Sequence, residues 1–320
     1  MKKILSPIFF LIGLFLLVIL THLVLILTAV RYSNRSSYLA SDVDKHVALE
    51  KTGPPRLILV GGSNLAFGID SPAIEKEIGI PVINMGLNAG LGLRYMLNEV
   101  KPYVHQGDIV VIVPEYQFFY IGRLLNGDST LMDLLTVFPQ GLKYIDWPKQ
   151  LPLFLKNYPE YIRNQVQTIF YTFLNKSHDP IYYRAGFNKN GDMVSHLDQP
   201  SKEVHVILKD RFLLPQIFQV NAESLDILNR FYYSSRTRGA KVFLIFPDIP
   251  DVYYQQEEPR LAILFSQLKN NLKIPLLSSP AENVLPVEYF FDSLYHLNSK
   301  GRSLRTKKIT EILSRELSIK

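Results

Sequence analysis

Residues 56–64 read RLILVGGSN, a short apolar run that ends in two glycines, a serine and an asparagine. The run LILV at 57–60 consists of branched apolar residues without alternation, which is typical of a strand buried on both faces of a parallel sheet. The glycines permit a tight turn after the strand and leave the amides beside Ser63 open to a ligand. The stretch therefore predicts the first strand of an α/β domain with a polar group at its carboxyl end.

The rest of the chain repeats this alternation of strand and helix. The further short apolar runs are PVIN at 81–84, IVVIV at 109–113, KVFLIF at 241–246 and IPLL at 274–277. Helical patterns between them begin at Ser71, with this serine as the expected N-cap, and end at Gly79 and Gly239. Because strands that alternate with helices form a parallel sheet covered on both faces, we predict a flavodoxin-like, doubly wound parallel sheet of about five strands.

The chain begins with a segment long and apolar enough to cross a membrane. Residues 8–30 include no Asp, Glu, Lys or Arg, and a helix of this length spans a hydrocarbon core of about 30 Å. A cleaved signal peptide is the alternative, because TAV at 28–30 offers small residues, but the apolar region of such a peptide is only about 7–15 residues long. Lys2 and Lys3 precede the span, which favours a cytoplasmic N-terminus and an extracytoplasmic domain.

These patterns divide the chain into a cytoplasmic stub at 1–7, a transmembrane helix at 8–30, a polar linker at 31–55 and an α/β domain at 56–320. The stretch from about 118 to 220 breaks the alternation and is rich in aromatic residues and proline, which indicates an insertion after the third strand. Asn190 and Gly191 within it are a two-residue hairpin signal. We expect the insertion to cover the sheet edge, with a lid, a substrate groove or a partner surface as alternatives.

The composition excludes several kinds of chemistry. The 320 residues include no cysteine, so there is no disulfide framework, thiolate nucleophile or cysteine metal site. The seven histidines form no H-E-x-x-H pair, and LILVGGSNLAFG lacks the glycine spacing of phosphate-binding loops. The net charge of +6 lies partly in the helical pattern at 301–320, for which we expect a solvated basic face, with an anionic membrane or polymer as the alternative contact. We expect no cofactor, no metal and no nucleic-acid partner.

Polar residues that suit acyl transfer follow the strands of this sheet. Ser63 follows the first strand, residues 84–90 the second and residues 114–117 the third, while Asp292 and His296 precede the terminal helix. The carboxyl ends of parallel strands share one edge, so these groups can meet there. Acyl transfer needs a hydroxyl, an imidazole base, a carboxylate that orients the imidazole and N–H donors for the oxyanion. We predict Ser63 as nucleophile, His296 as base and Asp292 as the orienting carboxylate.

In combination these motifs resemble the SGNH (GDSL-like) hydrolase superfamily. The resemblance rests on GGSN at 61–64, N-x-G-x-N-A-G at 84–90 and D-x-x-x-H-L-N-x-x-G at 292–301, and it covers 56–117 and 240–305. The chain is similar in particular to the membrane-anchored branch that includes the alginate O-acetylation proteins and the wall-polymer D-alanylation protein. The resemblance implies a serine esterase or acyltransferase that acts on acyl groups, acetyl above all, of an extracytoplasmic polysaccharide or envelope polymer. It also implies a membrane-bound O-acyltransferase as a partner.

The resemblance assigns the oxyanion donors as well. Backbone N–H groups would come from Ser63 and from the second block, whose glycine falls at Ala89 or Gly90. The third block of the family, usually G-x-N-D, supplies an Asn side chain, but this chain reads PEYQ at 114–117, and the usual Asp before the serine is Gly62. Loss of one such donor typically slows catalysis by about 100-fold to 1000-fold. The candidate replacements are Tyr116, Gln117 and Asn88.

Two alternatives remain open at this point. Glu288 or Glu115 could take the place of Asp292, which lies four residues before His296 where the family has three. With its third block altered, the chain could also be a non-catalytic SGNH-like module that binds a membrane acyltransferase or a polysaccharide. The sequence does not separate hydrolysis by water from transfer to a sugar hydroxyl in the last step.

Overall fold

A parallel sheet forms the centre of the domain in the computed structural model, which describes residues 2–31, 35–120, 122–174, 179–209, 214 and 219–317. The strands are β1 (Leu57–Gly61), β2 (Val82–Asn84), β3 (Ile109–Val113), β4 (Lys241–Leu244), β5 (Ile249–Pro250) and β6 (Val284–Leu285). The α-helices are α1 (Lys2–Arg31), α2 (Ser41–Lys51), α3 (Ser63–Gly68), α4 (Ser71–Ile78), α5 (Leu93–Val100), α6 (Gly122–Asn126), α7 (Ser129–Val137), α8 (Trp147–Phe173), α9 (Val204–Ile207), α10 (Ala222–Thr237), α11 (Asp251–Asn271) and α12 (Ser299–Glu316).

The four strands of the central sheet lie in the order β2-β1-β3-β4 and all pairs are parallel. This confirms the predicted α/β class with a parallel sheet. The fifth predicted strand, at 274–277, is reduced to a single parallel bridge between Leu244 and Leu276. Pro275 explains the reduction, because proline has no N–H to extend a ladder. β5 and β6 pair separately as a small parallel sheet.

Alternate residues of β1 face two different parts of the core. Ile58 and Val60 pack in the larger apolar cluster with residues of α5, α10 and α11. Leu57 and Leu59 pack in the second cluster with residues of α4 and α12. Every residue of β1 is buried, as the continuous apolar run predicts. Helices therefore cover the sheet on both faces.

The N-cap of helix α4 lies one residue before the predicted one. Asp70 is the N-cap and accepts from the Ala73 amide at 3.4 Å, while Ser71 is already helical and its Oγ donates to Asp192 at 2.6 Å. The predicted end is confirmed, because Gly79 has a φ of 73° and closes the helix in the left-handed conformation.

The segment predicted to be a linker is folded into the domain. Helix α2 buries polar as well as apolar side chains, among them Lys45, His46 and Leu49. Lys45 Nζ donates to the Asn84 carbonyl at 2.9 Å, at the end of β2. The buried guanidinium of Arg56 donates to the Leu49 and Thr52 carbonyls, so α2 and the start of β1 are joined. The polar composition of this stretch thus reflects buried hydrogen bonds and not a flexible tether.

The insertion at 118–220 is mainly helical in the described residues. Helices α7 and α8 pack against each other, with the Tyr161 and Thr136 hydroxyls 2.9 Å apart. The hairpin signal at Asn190 and Gly191 produces a tight turn closed by one antiparallel bridge, Phe187 to Met193, without flanking strands. Helix α1 includes a 20-residue apolar stretch, Phe9–Thr28, whose side chains are exposed; by length and composition it is a candidate membrane span near the N-terminus.

Candidate active site

A short loop before α12 brings Asp292 and His296 together. The loop is closed by an antiparallel bridge between Phe290 and Leu297 and by a 2.7 Å hydrogen bond from the Phe291 amide to the His296 carbonyl. Within it, His296 Nδ1 lies 2.7 Å from Asp292 Oδ1. The four-residue spacing therefore suits a loop closed at its ends, and neither Glu115 nor Glu288 is bonded to His296 among the described residues.

Ser63 lies at the same edge of the sheet as this pair. It is the first residue of α3, directly after β1, and Phe67 follows it by one helical turn. The Phe67 ring stacks on the His296 imidazole with centroids 3.9 Å apart and planes within 6°. The imidazole thus rests on the helix that carries Ser63. Among the described residues Ser63 Oγ forms no hydrogen bond with His296, and bonds of this kind often form only when substrate is bound.

The backbone amides of Ser63 and Ala89 differ from that of Gly90 in their hydrogen bonding. Neither the Ser63 nor the Ala89 amide donates to an acceptor within the described part of the chain. The Gly90 amide, in contrast, donates to Asn88 Oδ1 at 2.8 Å. The turn that includes Ala89 passes close to β1, because a Cβ atom at Gly86 would lie 2.8 Å from the Gly62 carbonyl. Of the predicted backbone donors, the Ser63 and Ala89 amides therefore stay candidates for the oxyanion, whereas the Gly90 amide already has an acceptor.

The three predicted side-chain donors have different environments. Tyr116 is fully buried, its ring stacks on Phe246 at 5.8 Å, and its hydroxyl is enclosed in the core, so the structure does not support it as an oxyanion donor. Gln117 is half-buried and its Oε1 accepts from Tyr295 at 2.9 Å. Asn88 is half-buried, and while its Oδ1 caps the next turn, its Nδ2 group has no acceptor in the described ranges. Asn88 is therefore the better placed replacement.

Tyr182, from the insertion, completes the hydrogen bonding of Asp292. Its hydroxyl donates to Asp292 Oδ2 at 2.6 Å and lies 3.2 Å from His296 Nδ1. Burial alone would raise the pKa of Asp292, but the hydrogen bond and charge of His296, with the Tyr182 hydroxyl, lower that pKa below its usual value. Asp292 is therefore held as a carboxylate. No sequence pattern singles out Tyr182, because it lies in an aromatic-rich stretch with many equivalent candidates.

Glu115 occupies the space beside Gly62, the residue before Ser63. Its Oε1 accepts from Asn64 Nδ2 at 2.8 Å, and a Cβ atom at Gly62 would overlap its carboxylate. Burial raises the pKa of Glu115, against the hydrogen bond from Asn64. Gly62 and Glu115 are thus in direct contact.

Helix α3 is held from the opposite side by Arg305 of α12. The buried guanidinium donates to the Asn64 carbonyl at 2.6 Å and to Asn64 Oδ1 at 2.9 Å, and its Nε lies 3.0 Å from Asp248 Oδ2. Asn64 Nδ2 also donates to the Val113 carbonyl at 3.0 Å. The second residue of α3 is therefore fixed by β3 and α12 together, which fixes the backbone of the preceding Ser63.

A second histidine lies behind Phe67. His196 is fully buried, its ring is 4.6 Å from Phe67, and its Nε2 is 3.0 Å from the Leu297 carbonyl. Burial lowers the pKa of His196 to about 4, so its ring is neutral at pH 7. His196 supports the loop that holds His296 without adding charge beside it.

In the described parts of the chain no group of three or more His, Asp or Glu side chains is placed to hold a metal ion. No protein-family model matches the sequence, and no curated protein matches it. The chemistry proposed below therefore depends on the geometry of the site and on the motifs of the sequence.

Proposed function

We propose that this protein is a membrane-anchored serine esterase or O-acyltransferase of the SGNH type. The observation that carries the proposal is the Asp292–His296 hydrogen bond, with the imidazole stacked on Phe67 one turn after Ser63. The strand order 2-1-3-4 supports it, because it is the start of the flavodoxin-like order 2-1-3-4-5. Ligands of such sheets bind beyond the carboxyl ends of the strands, where these residues lie.

In the proposed reaction Ser63 Oγ attacks the carbonyl carbon of an ester. Its proton passes to His296 Nε2, while Asp292 accepts from the Nδ1–H and stabilises the imidazolium. The Ser63 and Ala89 amides, together with Asn88 Nδ2, donate to the oxyanion. The tetrahedral intermediate collapses, the alcohol leaves with the proton from His296, and an acyl-serine remains. Water then gives hydrolysis, and a sugar hydroxyl gives transfer.

We propose an acylated extracytoplasmic polysaccharide or envelope polymer as the substrate and acetyl as the acyl group. The support is the apolar helix α1, whose positive flank at Lys2 and Lys3 favours a cytoplasmic N-terminus and an external domain. A domain fixed beside the membrane can reach a polymer that is made or modified there. A membrane-bound O-acyltransferase that supplies acyl groups is the proposed partner.

A fluorophosphonate probe on the full chain in membranes tests the catalytic proposal. We expect labelling of the wild type, none of Ser63→Ala, and at least about 100-fold slower labelling of His296→Gln, because the serine loses its base. Ser303→Ala, which removes an exposed hydroxyl on α12, is the matched control and should label normally. Equal labelling of wild type and Ser63→Ala would refute the proposal.

The second candidate function is a non-catalytic module that docks a membrane acyltransferase or a polysaccharide. The observations that favour it are the missing Asn donor at 114–117 and the absence of a Ser63–His296 hydrogen bond in the described residues. Under this function the probe labels neither the wild type nor Ser63→Ala, and both proteins bind the polymer equally well. The same pair of variants therefore separates the two functions.

A further inference from the structure

Helix α8 of the insertion has three distinct faces. One face is buried in the domain through residues such as Gln150, Tyr161 and Gln165, and Gln165 Nε2 donates to Asp133 of α7 at 2.7 Å. A second face is charged and solvent-exposed. Its members are Lys149, Lys156, Glu160 and Arg163. The third face is apolar and also exposed, although most large apolar side chains of the domain are buried.

The exposed apolar face runs along the whole helix. Leu155 is 69% exposed and Val166 is 51% exposed, and because three turns take about 11 residues, the two lie on one side of the helix. Leu151 and Phe170 extend this stripe by one turn in each direction and are exposed as well. A contiguous apolar face of this length marks a surface that is covered by a partner or a membrane.

The position of α1 identifies what covers this face. Tyr158 of α8 stacks on His22 of α1 with ring centroids 5.8 Å apart. His22 lies six residues before Thr28, the end of the apolar stretch, which corresponds to a depth of about 9 Å at 1.5 Å per residue. Interfacial helices bury their apolar face about 5–10 Å into the boundary between headgroups and acyl chains. Helix α8 is thus at the depth of an interfacial helix wherever α1 spans a bilayer.

We propose that α8 lies in the membrane interface and contacts the lipid bilayer through Leu151, Leu155, Val166 and Phe170. The charged face has three basic residues and one acidic residue, which suits phosphate headgroups. The inference rests on α1 as the membrane anchor and is independent of any catalytic activity. A helix α8 in the interface fixes the distance between the bilayer and the candidate active site, because Tyr182 of the same insertion contacts Asp292.

Single cysteines test the contact, because the natural chain has none. The variants Leu155→Cys and Val166→Cys place a spin label on the apolar face, and their matched neighbours Lys156→Cys and Gln167→Cys place it on the polar side. The full chain is reconstituted into nanodiscs of phosphatidylcholine and phosphatidylglycerol without any other protein. Collisions with oxygen report lipid exposure, and collisions with a water-soluble nickel chelate report aqueous exposure.

We expect labels at 155 and 166 to favour oxygen over the chelate severalfold more than labels at 156 and 167. Equal chelate accessibility within both pairs would overturn the proposal and leave the face for a protein partner. A label at Leu16→Cys, in α1, must be lipid-exposed in either case, so a failed anchor is recognised separately. In the unmodified chain, acyl-chain-brominated lipids should quench Trp147, the sole tryptophan, which lies on α8; unchanged emission would count against the contact.

Discussion

At the residue scale, Tyr182 is the contact through which the insertion controls the Asp292–His296 pair. The hydroxyl donates to a carboxylate at 2.6 Å, and hydrogen bonds to charged groups contribute about 1.5–3 kcal/mol. In Tyr182→Phe, Asp292 loses this donor while the ring contact with Phe67 is retained. We expect fluorophosphonate labelling of Ser63 to slow by about tenfold and the free energy of unfolding to fall by about 1.5–3 kcal/mol, because the carboxylate loses one of its donors.

The neighbouring Tyr183→Phe is the matched control, because Tyr183 does not contact the pair in the described structure. Its labelling rate should equal that of the wild type. If Tyr182→Phe labels at the wild-type rate, the hydroxyl does not position Asp292, and the tyrosine serves only as packing.

The lowered pKa of His196 predicts that the stability of the domain depends on pH. Its folded pKa of about 4 lies below the ordinary value of 6.5, so between these values the unfolded chain binds more protons than the folded one. The contribution of the neutral His196 ring to the free energy of unfolding is therefore fully present above pH 6.5 and is lost as the pH falls towards 4. A shift of this size corresponds to about 3 kcal/mol.

His196→Gln isolates this contribution, because glutamine does not titrate and its amide can still donate to the Leu297 carbonyl. Urea unfolding of the full chain in mild detergent, at pH 7 and pH 4.5, measures the free energy of unfolding of both proteins. Between pH 7 and pH 4.5 we expect the free energy of unfolding of the wild type to fall by up to about 3 kcal/mol more than that of the variant. Parallel pH profiles would show that His196 is protonated in the folded state without cost.

The sequence motifs predicted the contact between Asp292 and His296, but not the residues that surround it. Asp292 and His296 could be paired from the sequence because they lie in one short segment before a helix. Asn64 and Arg305 could not, since their contact joins residues far apart in the chain through buried polar atoms that periodicity does not reveal. Tyr116 was misjudged for the reverse reason, because the sequence places it beside the site while the fold turns its side chain into the core.

At the scale of elements, the bond between α3 and α12 determines where Ser63 sits. Arg305 compensates Asp248 and lies near Glu115, both of which are fully buried, and burial raises the pKa of each carboxyl against the charge of Arg305. Removal of one partner from a buried ion pair costs about 3–5 kcal/mol, because the other charge is left unpaired. We expect Arg305→Met to lower the free energy of unfolding by this amount and to slow labelling of Ser63 as α3 loosens.

Lys307→Met is the matched control on the same helix. Its side chain is exposed and its ion pair with Glu311 is 4.0 Å long, so we expect a change of at most about 0.5 kcal/mol. Urea unfolding of both variants at pH 7 makes the comparison. Wild-type stability in Arg305→Met would mean that the buried carboxyls are protonated and need no counter-charge.

Elements were predictable where local patterns and burial agree. β1 and β3 are apolar runs buried on both faces, and both match their predicted positions. Asn190 and Gly191 form a turn, as the hairpin signal predicts, but strands do not flank it. The residues beside the turn are held instead by hydrogen bonds between Asn188 and Asp192. The apolar run at 274–277 predicts a full strand, but only one bridge forms there, because Pro275 has no N–H for ladder pairing.

At the scale of the whole molecule, the folded domain begins closer to the apolar helix α1 than the sequence indicated. The predicted linker at 31–55 forms α2, and before it Tyr38 is buried with its hydroxyl donating to the Leu87 carbonyl. A polar stretch that ends in glycine and prolines resembles a tether in composition. Its burial depends on partners on β2 and the insertion, which no local pattern specifies. From Tyr38 onwards, this segment therefore connects the sheet and the insertion.

This arrangement predicts where the chain can be shortened. A protein that begins at residue 35 keeps Tyr38 and α2, so we expect it to fold in mild detergent with a cooperative thermal transition. A protein that begins at residue 56 lacks the Leu49 and Thr52 carbonyls, so that of its partners in the described residues Arg56 keeps Tyr103 and Asp108. The apolar surface that α2 covers also becomes exposed to water, which costs about 25 cal/mol per Å². We expect the shorter protein to aggregate or to melt well below the longer one in circular dichroism, whereas equal melting curves would show that α2 is dispensable and that the domain begins at β1.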